Sequence, residues 1–204
     1  MQPTSPPSHP VLLVTGVASG LGAATARVFA AAGYAVACVD VNEEGAVREA
    51  DDLTAGDMPA IALACDVRDE QAVANVVQAV ADRFGRLDVL VNSAAVDHTL
   101  SVTEMSVAQW DQVLDVNLRA PFLFAHAAFP IMQCQGGGAV INVASTAGVR
   151  AWANASAYHA SKWGLIGLSR ALGVEGRALG IRVTTIIPGG IWCHQATNRC
   201  RLIA

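Results

Sequence analysis

Tyr158 and Lys162 stand four residues apart in the run Ser156-Ala157-Tyr158-His159-Ala160-Ser161-Lys162. On a helix that spacing puts both side chains on one face, within reach of one ligand. A phenol titrates near ~10 in isolation, and a neighbouring ammonium favours the phenolate and lowers that value, as a general base working near neutral pH requires. The same pair is common on exposed helices, so it gains meaning only from its company. Part of that company lies in Thr15-Gly16-Val17-Ala18-Ser19-Gly20-Leu21-Gly22, which follows a short apolar run and precedes good helix formers. A strand-turn-helix of this kind lets the backbone approach a pyrophosphate, and the unpaired N–H groups of the helix start favour its charge. The glycines are spaced G-x-x-x-G-x-G rather than G-x-G-x-x-G, and an ordinary glycine-rich turn is the alternative. Asp40 comes 18 residues after Gly22, near the offset of about 20 at which an acid bonds an adenosine ribose hydroxyl. It would repel a 2′-phosphate, and Ser19, Val41 and Asn42 offer no cation for one, so the expected cofactor is NAD in preference to NADP. The alternative for Asp40 is a solvated carboxylate at a strand end.

These residues need a scaffold, and the hydropathy pattern supplies one. Short apolar runs at Val11 to Thr15, Ala35 to Asp40, Ile61 to Asp66, Leu87 to Asn92, Ala139 to Ala144 and Arg182 to Ile187 read as strands buried on both faces. Between them, periodic segments at Leu21 to Ala32, Glu43 to Leu53, Glu70 to Phe84, Val107 to Met132 and Ala157 to Leu179 read as helices. Gly33, Gly85 and Gly180 fall just past three helix ends, and Pro121 should kink the fourth helix. The expected fold class is α/β, a Rossmann-type doubly wound parallel sheet of six strands.

Composition narrows the function. The chain has 204 residues, 53% hydrophobic and 15% charged, with a net charge of −4. That is enough chain to bury roughly 70% of its unfolded surface without disulfides or metal. With no run of Lys or Arg, neither a nucleic acid nor an anionic membrane is expected as a partner. No uncharged apolar stretch reaches the ~18 residues of a membrane span. The five cysteines contain no C-x-x-C pair, which argues against a disulfide framework or zinc ribbon and for a cytoplasmic location. Residues 1–10 read as a flexible tail without a signal peptide.

The Thr15 to Gly22 loop, Asn92-Ser93-Ala94-Ala95, Ser145, Tyr158-x-x-x-Lys162 and Pro188-Gly189 together resemble the short-chain dehydrogenase/reductase family over about residues 10 to 192. Ser145 lies 28 residues after Asn117 and 13 before Tyr158, which aligns these three and Lys162 with the family's Asn-Ser-Tyr-Lys tetrad. The resemblance implies that hydride passes between the carbinol carbon of a small secondary alcohol or ketone and the nicotinamide, while Tyr158 exchanges the hydroxyl proton. It implies that Ser145 steadies the substrate oxygen, that Lys162 also bonds the nicotinamide ribose, and that Asn117 positions a relay water. By the same carry-over Gly16, Ser19, Gly20, Leu21 and Gly22 hold the pyrophosphate, and Asn92 approaches the adenosine-side ribose. Asp66 and Val67 then flank the adenine, and Pro188, Gly189 and Ile191 hold the nicotinamide end. A homodimer through the helices at 107–132 and 157–179 is implied as well.

The chain departs from the family's pattern in two places. Ala95 replaces a usual glycine, which is harmless unless the position needs a positive φ. Cys193 stands at a usual threonine, and residues 193–204 read as an atypical, frayed tail lacking the family's substrate lid and seventh strand, as in a truncated product, an alternative transcript or a shifted reading frame. Such a loss makes a catalytically silent dinucleotide-binding or interaction protein the competing expectation. Cys193, His194 and Cys200 lack a fourth zinc ligand, so no metal is expected. His98, His126 and His159 are expected in core or surface roles. Trp152 and Trp192 flank the substrate region, as pocket lining or as packing. The resemblance places residues that set substrate specificity in the variable segment Val96 to Thr103, as well as in the lid.

Overall fold

Val11–Thr15, the first strand (β1), is buried at all five positions and sends alternate side chains to opposite sides. Val11 and Leu13 join one apolar cluster; Leu12 and Val14 join another. Aliphatic residues on both faces require helices on both faces, and the chain provides them. The computed structural model describes residues 9–189 in full, and for 191–194 and 199–202 the backbone only. Six parallel strands, β1, β2 (Ala35–Asp40), β3 (Ala60–Ala64), β4 (Val89–Asn92), β5 (Gly138–Val143) and β6 (Ile181–Ile186), lie in the order β3-β2-β1-β4-β5-β6. Helices α1 (Gly20–Ala31) and α2 (Glu43–Ala55) bring Ala26, Ala30, Ala46, Ala50 and Leu53 to one face. Helices α3 (Glu70–Phe84) and α5 (Ala120–Cys134) bring Val73, Val77, Leu123, Phe124 and Met132 to the other. The doubly wound Rossmann-type sheet expected from the pattern is the one observed. Order reverses between β1 and β4, and that switch point opens a crevice at the strands' carboxyl ends.

Most element boundaries fall within two residues of the pattern. Leu87, expected in β4, instead gives its N–H to the side chain of Gln135, 3.0 Å away, so the ladder starts later. Gly33, Gly85 and Gly180 all take the left-handed conformation at their helix ends. The expected single helix Val107 to Met132 is three pieces: α4 (Val107–Leu114), a π-helical turn at Asp115–Arg119, and α5. Pro121 sits in the first turn of α5, and Ala120 donates to Asp115, five residues back. The wide turn takes up the proline that a continuous α-helix would exclude. The last long helix, α6 (Ser156–Arg177), carries Tyr158 and Lys162 as expected. Residues 191–202, expected to include a frayed tail, contain an antiparallel pair, β7 (Ile191–His194) with β8 (Arg199–Leu202), separate from the main sheet. Cys38 and Cys65 are free, and burial pushes their thiols up to about 12 and about 11. Among the described residues no helix is long and apolar enough to cross a membrane.

Candidate active site

The crevice at the switch point is a cleft of about 770 Å³. One end is built by the turn between β1 and α1. Gly16 has φ +76°, and a Cβ there would stand 2.9 Å from the Ala94 Cα. A Cβ on Gly22 would stand 2.0 Å from the Gly16 carbonyl oxygen. Only hydrogen fits at either position, so the turn stays tight and exposes its backbone. Ser19 precedes α1 in extended conformation and does not cap it with its side chain, which leaves the first-turn N–H groups facing the cleft. Ser19, Gly20 and Leu21 line the cleft beside the two glycines.

Asp40 closes β2 and is held from both sides. Its carboxylate accepts from the Ala18 N–H and the Asn42 N–H, each at 2.9 Å. Asp66 and Val67 line the same end. Arg68, which the sequence reading passed over, lies there too and grips Asp66 as a fork, with its closest contact at 2.6 Å. That guanidinium holds the Asp66 carboxyl below the usual carboxylate range. Its proximity in sequence to Asp66 was the available signal. Thr15 was also missed; its hydroxyl accepts from Ser93 and Ala94 at 3.0 and 3.1 Å and pins the loop after β4 against β1.

At the other end Ser145, Tyr158 and Lys162 share the cleft wall with Pro188 and Gly189. Ser145 caps the short 3-10 turn Thr146–Gly148, its oxygen accepting from the Ala147 N–H at 3.1 Å, which leaves the hydroxyl proton for the cleft. Lys162 is 2% exposed and donates to the Val143 carbonyl at 2.9 Å. Burial lowers its ammonium to about 8. The expectation that Lys162 lowers the phenol is not met. Burial raises Tyr158 above its ordinary value, against the opposing effect of the Ser145 hydroxyl, while Asp97 raises it further. The lysine nitrogen is 5.6 Å from the phenol ring centre and gives one of its three N–H groups to the Val143 carbonyl.

One expected contact is corrected. Asn92 does not reach the cleft through its side chain, which donates to Asn142 at 2.8 Å, with Asn142 donating in turn to Ser169 at 2.9 Å. Parallel pairing in register places Asn92 directly beside Asn142, so the amides meet inside the sheet. The Asn117 amide is likewise occupied: it accepts from the Val96 N–H, donates to the Val96 carbonyl, both at 2.8 Å, and donates to Ser161 at 3.2 Å. It therefore fastens the loop after β4 to α6. Pro121, four residues on, has no N–H to offer the Asn117 carbonyl, which leaves that oxygen without its α-helical donor. Ile191, Trp192, Cys193, His194 and Cys200 have side chains outside the described residues. Ala95 is not among the positive-φ residues, so its methyl is unstrained. His98 meets Gln112 at 2.9 Å, His126 stacks on Phe122, and His159 is buried. Trp152 lines the cleft.

The short chain dehydrogenase family profile matches residues 10–200. The chain belongs to that family. It is 45% identical to a D-threitol dehydrogenase of Mycolicibacterium smegmatis over 179 residues, covering 87% of this chain and 68% of the relative. It is 41% identical to a levodione reductase of Leifsonia aquatica over 199 residues, 96% of this chain and 74% of the relative. Among solved short-chain dehydrogenases, a levodione reductase crystal structure superposes with a TM-score of 0.86 at 38% identity, over 93% of this chain and 74% of that one. A metagenomic short-chain oxidoreductase in complex with NADP gives 0.86 at 36% identity, over 91% and 85%. This short-chain dehydrogenase is thus an oxidoreductase by family, and the glycine turn and Asp40 suit a nicotinamide dinucleotide.

Proposed function

We propose that residues 11–192 form one cofactor-binding domain of an NAD-dependent oxidoreductase that acts on a secondary alcohol or ketone, with Tyr158 as general acid and base. The observation that carries this reading is that Ser145, Tyr158 and Lys162 open onto the same cleft as Gly16, Gly22 and Asp40. The relatives' names, a dehydrogenase and a reductase, support a carbinol–carbonyl pair as the reacting group. A nicotinamide dinucleotide would be held by Gly16, Gly22 and Asp40 at one end and by Pro188 and Gly189 at the other, and when bound would supply the hydride acceptor. Tyr158 takes the hydroxyl proton at its phenolic oxygen, and Ser145 donates to the substrate oxygen as its charge grows. Lys162 holds its charge beside the phenol, and the N–H groups it does not give to Val143 would serve the ribose hydroxyls of a bound cofactor. A relay water is held by the Asn117 carbonyl, because its amide is already engaged.

NAD is preferred because Asp40 is oriented by two backbone donors, and because the nearby Arg68 is already neutralised by Asp66. Thermal unfolding tests this. A cofactor at 100 times its dissociation constant adds about 2.7 kcal/mol, so NAD should raise Tm well above the shift given by equal NADP. Asp40→Ala should erase the difference. A larger shift with NADP would reverse the assignment.

The chain pairs as a homodimer through the helices at 107–132 and 157–179, where Phe122 and Trp163 are 46% and 55% exposed. Light scattering should give twice the 21.1 kDa of one chain; a monomer or a stable tetramer would contradict the pairing. Free Cys38, Cys65 and Cys134 suit a reducing cytoplasm.

A further inference from the structure

His159 follows Tyr158 on α6 but turns away from the cleft, and it is 8% exposed. Both ring nitrogens are occupied: Nδ1 lies 2.9 Å from the Ala147 carbonyl, and Nε2 lies 3.1 Å from the Trp152 amide nitrogen. A carbonyl only accepts and an amide N–H only donates. These partners therefore assign the proton to Nδ1 and leave the Nε2 lone pair as acceptor. The ring thus clips both ends of the segment 147–152 to the helix that carries Tyr158 and Lys162.

The clip reaches the cleft through Trp152. Its ring meets the His159 ring edge-on, with centroids 4.3 Å apart at 76°. Trp152 shares the cleft wall with Ser145 and Tyr158, yet is 51% exposed. Such a side chain has little packing of its own to hold it. The root of the segment is seated closely, since a Cβ on Gly148 would stand 2.9 Å from the Lys162 carbonyl oxygen. Beyond it, Val149 and Arg150 both donate to the Thr146 carbonyl, and Ala151 and Trp152 belong to no regular element.

We propose that His159 is a positioning residue: it holds Trp152 as a fixed indole wall against which the apolar carbon skeleton of the substrate packs. The proposal rests on the oxidoreductase reading above. A wall fixed in advance spares the substrate the ordering of that side chain, an advantage of about tenfold in KM, and it grows with the apolar area of the substrate.

The test uses the full chain, saturating NAD and the 2-alkanols from 2-propanol to 2-octanol. The wild-type KM should fall along the series, and His159→Leu should flatten that fall, raising KM for the longest alcohol about tenfold while kcat stays within about threefold. His159→Gln, which keeps one donor and one acceptor, should restore part of the fall. Trp152→Ala should flatten it equally, and the double variant should lose no more than either single one. Unchanged chain-length dependence in His159→Leu, or additive losses in the double variant, would overturn the proposal. Nitrogen NMR of the imidazole and amide exchange at Trp152 need no turnover: a bare Nε2 and a Trp152 amide that exchanges faster in His159→Leu support the clip, and a protonated Nε2 refutes it. A chain with the clip intact that oxidises none of the alcohols would sink the proposed activity instead.

Discussion

Tyr158→Phe should lower kcat by about 10²- to 10⁴-fold, the range that positioned proton transfer contributes. That is roughly 3–5 kcal/mol of transition-state stabilisation. The loss should appear in kcat with any alcohol the wild type oxidises, because the phenolic oxygen is the group that takes the proton. The fold should be indifferent. The phenol ring packs as before, and the phenolic oxygen meets the Ser145 side chain rather than the backbone. NAD should therefore still raise Tm, which separates a chemical loss from a binding loss. NADH formation followed by absorbance decides it, and turnover within a few-fold of wild type would remove Tyr158 from the mechanism. The pH profile adds a second reading. Burial raises the Tyr158 phenol, so oxidation should climb with pH on the alkaline side of neutrality.

Lys162→Met should do two things at once: abolish most of the activity and make the protein more stable. In the native state burial lowers this ammonium from 10.5 to about 8. The folded chain then holds fewer protons here than the unfolded chain between those values. A penalty for burying the charge is present in full below pH 8 and fades as pH rises toward 10.5. Its size is about 3 kcal/mol at ~1.4 kcal/mol per unit. The methionine leaves the Val143 carbonyl unpaired, which returns about 1 kcal/mol. Net stabilisation of about 2 kcal/mol is expected at pH 7, or roughly 4–8 °C in Tm for a chain of this size. Across a pH series the gain should shrink above pH 8. Cys38 and Cys65 act with the opposite sign, since their raised thiols contribute stability that is complete below about 9 and lost toward about 12 and about 11. Both chains share them, so they cancel in the difference. A variant less stable than wild type at pH 7, with activity intact, would show that the buried ammonium is structural. The expected outcome is a charge kept at a cost in stability because proton transfer needs it.

Much of this was legible from local pattern. A strand buried on both faces needs unbroken aliphatic runs, a helix needs 3.6-residue periodicity, and a phosphate turn needs glycines where a Cβ would collide. Each of those conditions is local, so Val11 to Thr15, Glu70 to Phe84 and Gly16 with Gly22 could be placed from sequence. The i, i+4 geometry of Tyr158 and Lys162 follows from α6 alone. Asn92 was misjudged because an amide can serve a ligand or the fold equally well. Only strand register and helix packing decide which partners it meets. Arg68 escaped notice for the same reason, since its fork with Asp66 depends on where the loop after β3 turns.

The sequence by itself determined the fold class, the glycine turn, the acid at the end of β2 and the spacing of the tyrosine and lysine, because each follows from covalent geometry and hydropathy over a few residues. The tertiary structure decided which groups are desolvated and where their hydrogen bonds go. Those two conditions set the lowered Lys162 ammonium, the raised Tyr158 phenol and the tautomer of His159, because they depend on neighbours brought together from distant parts of the chain.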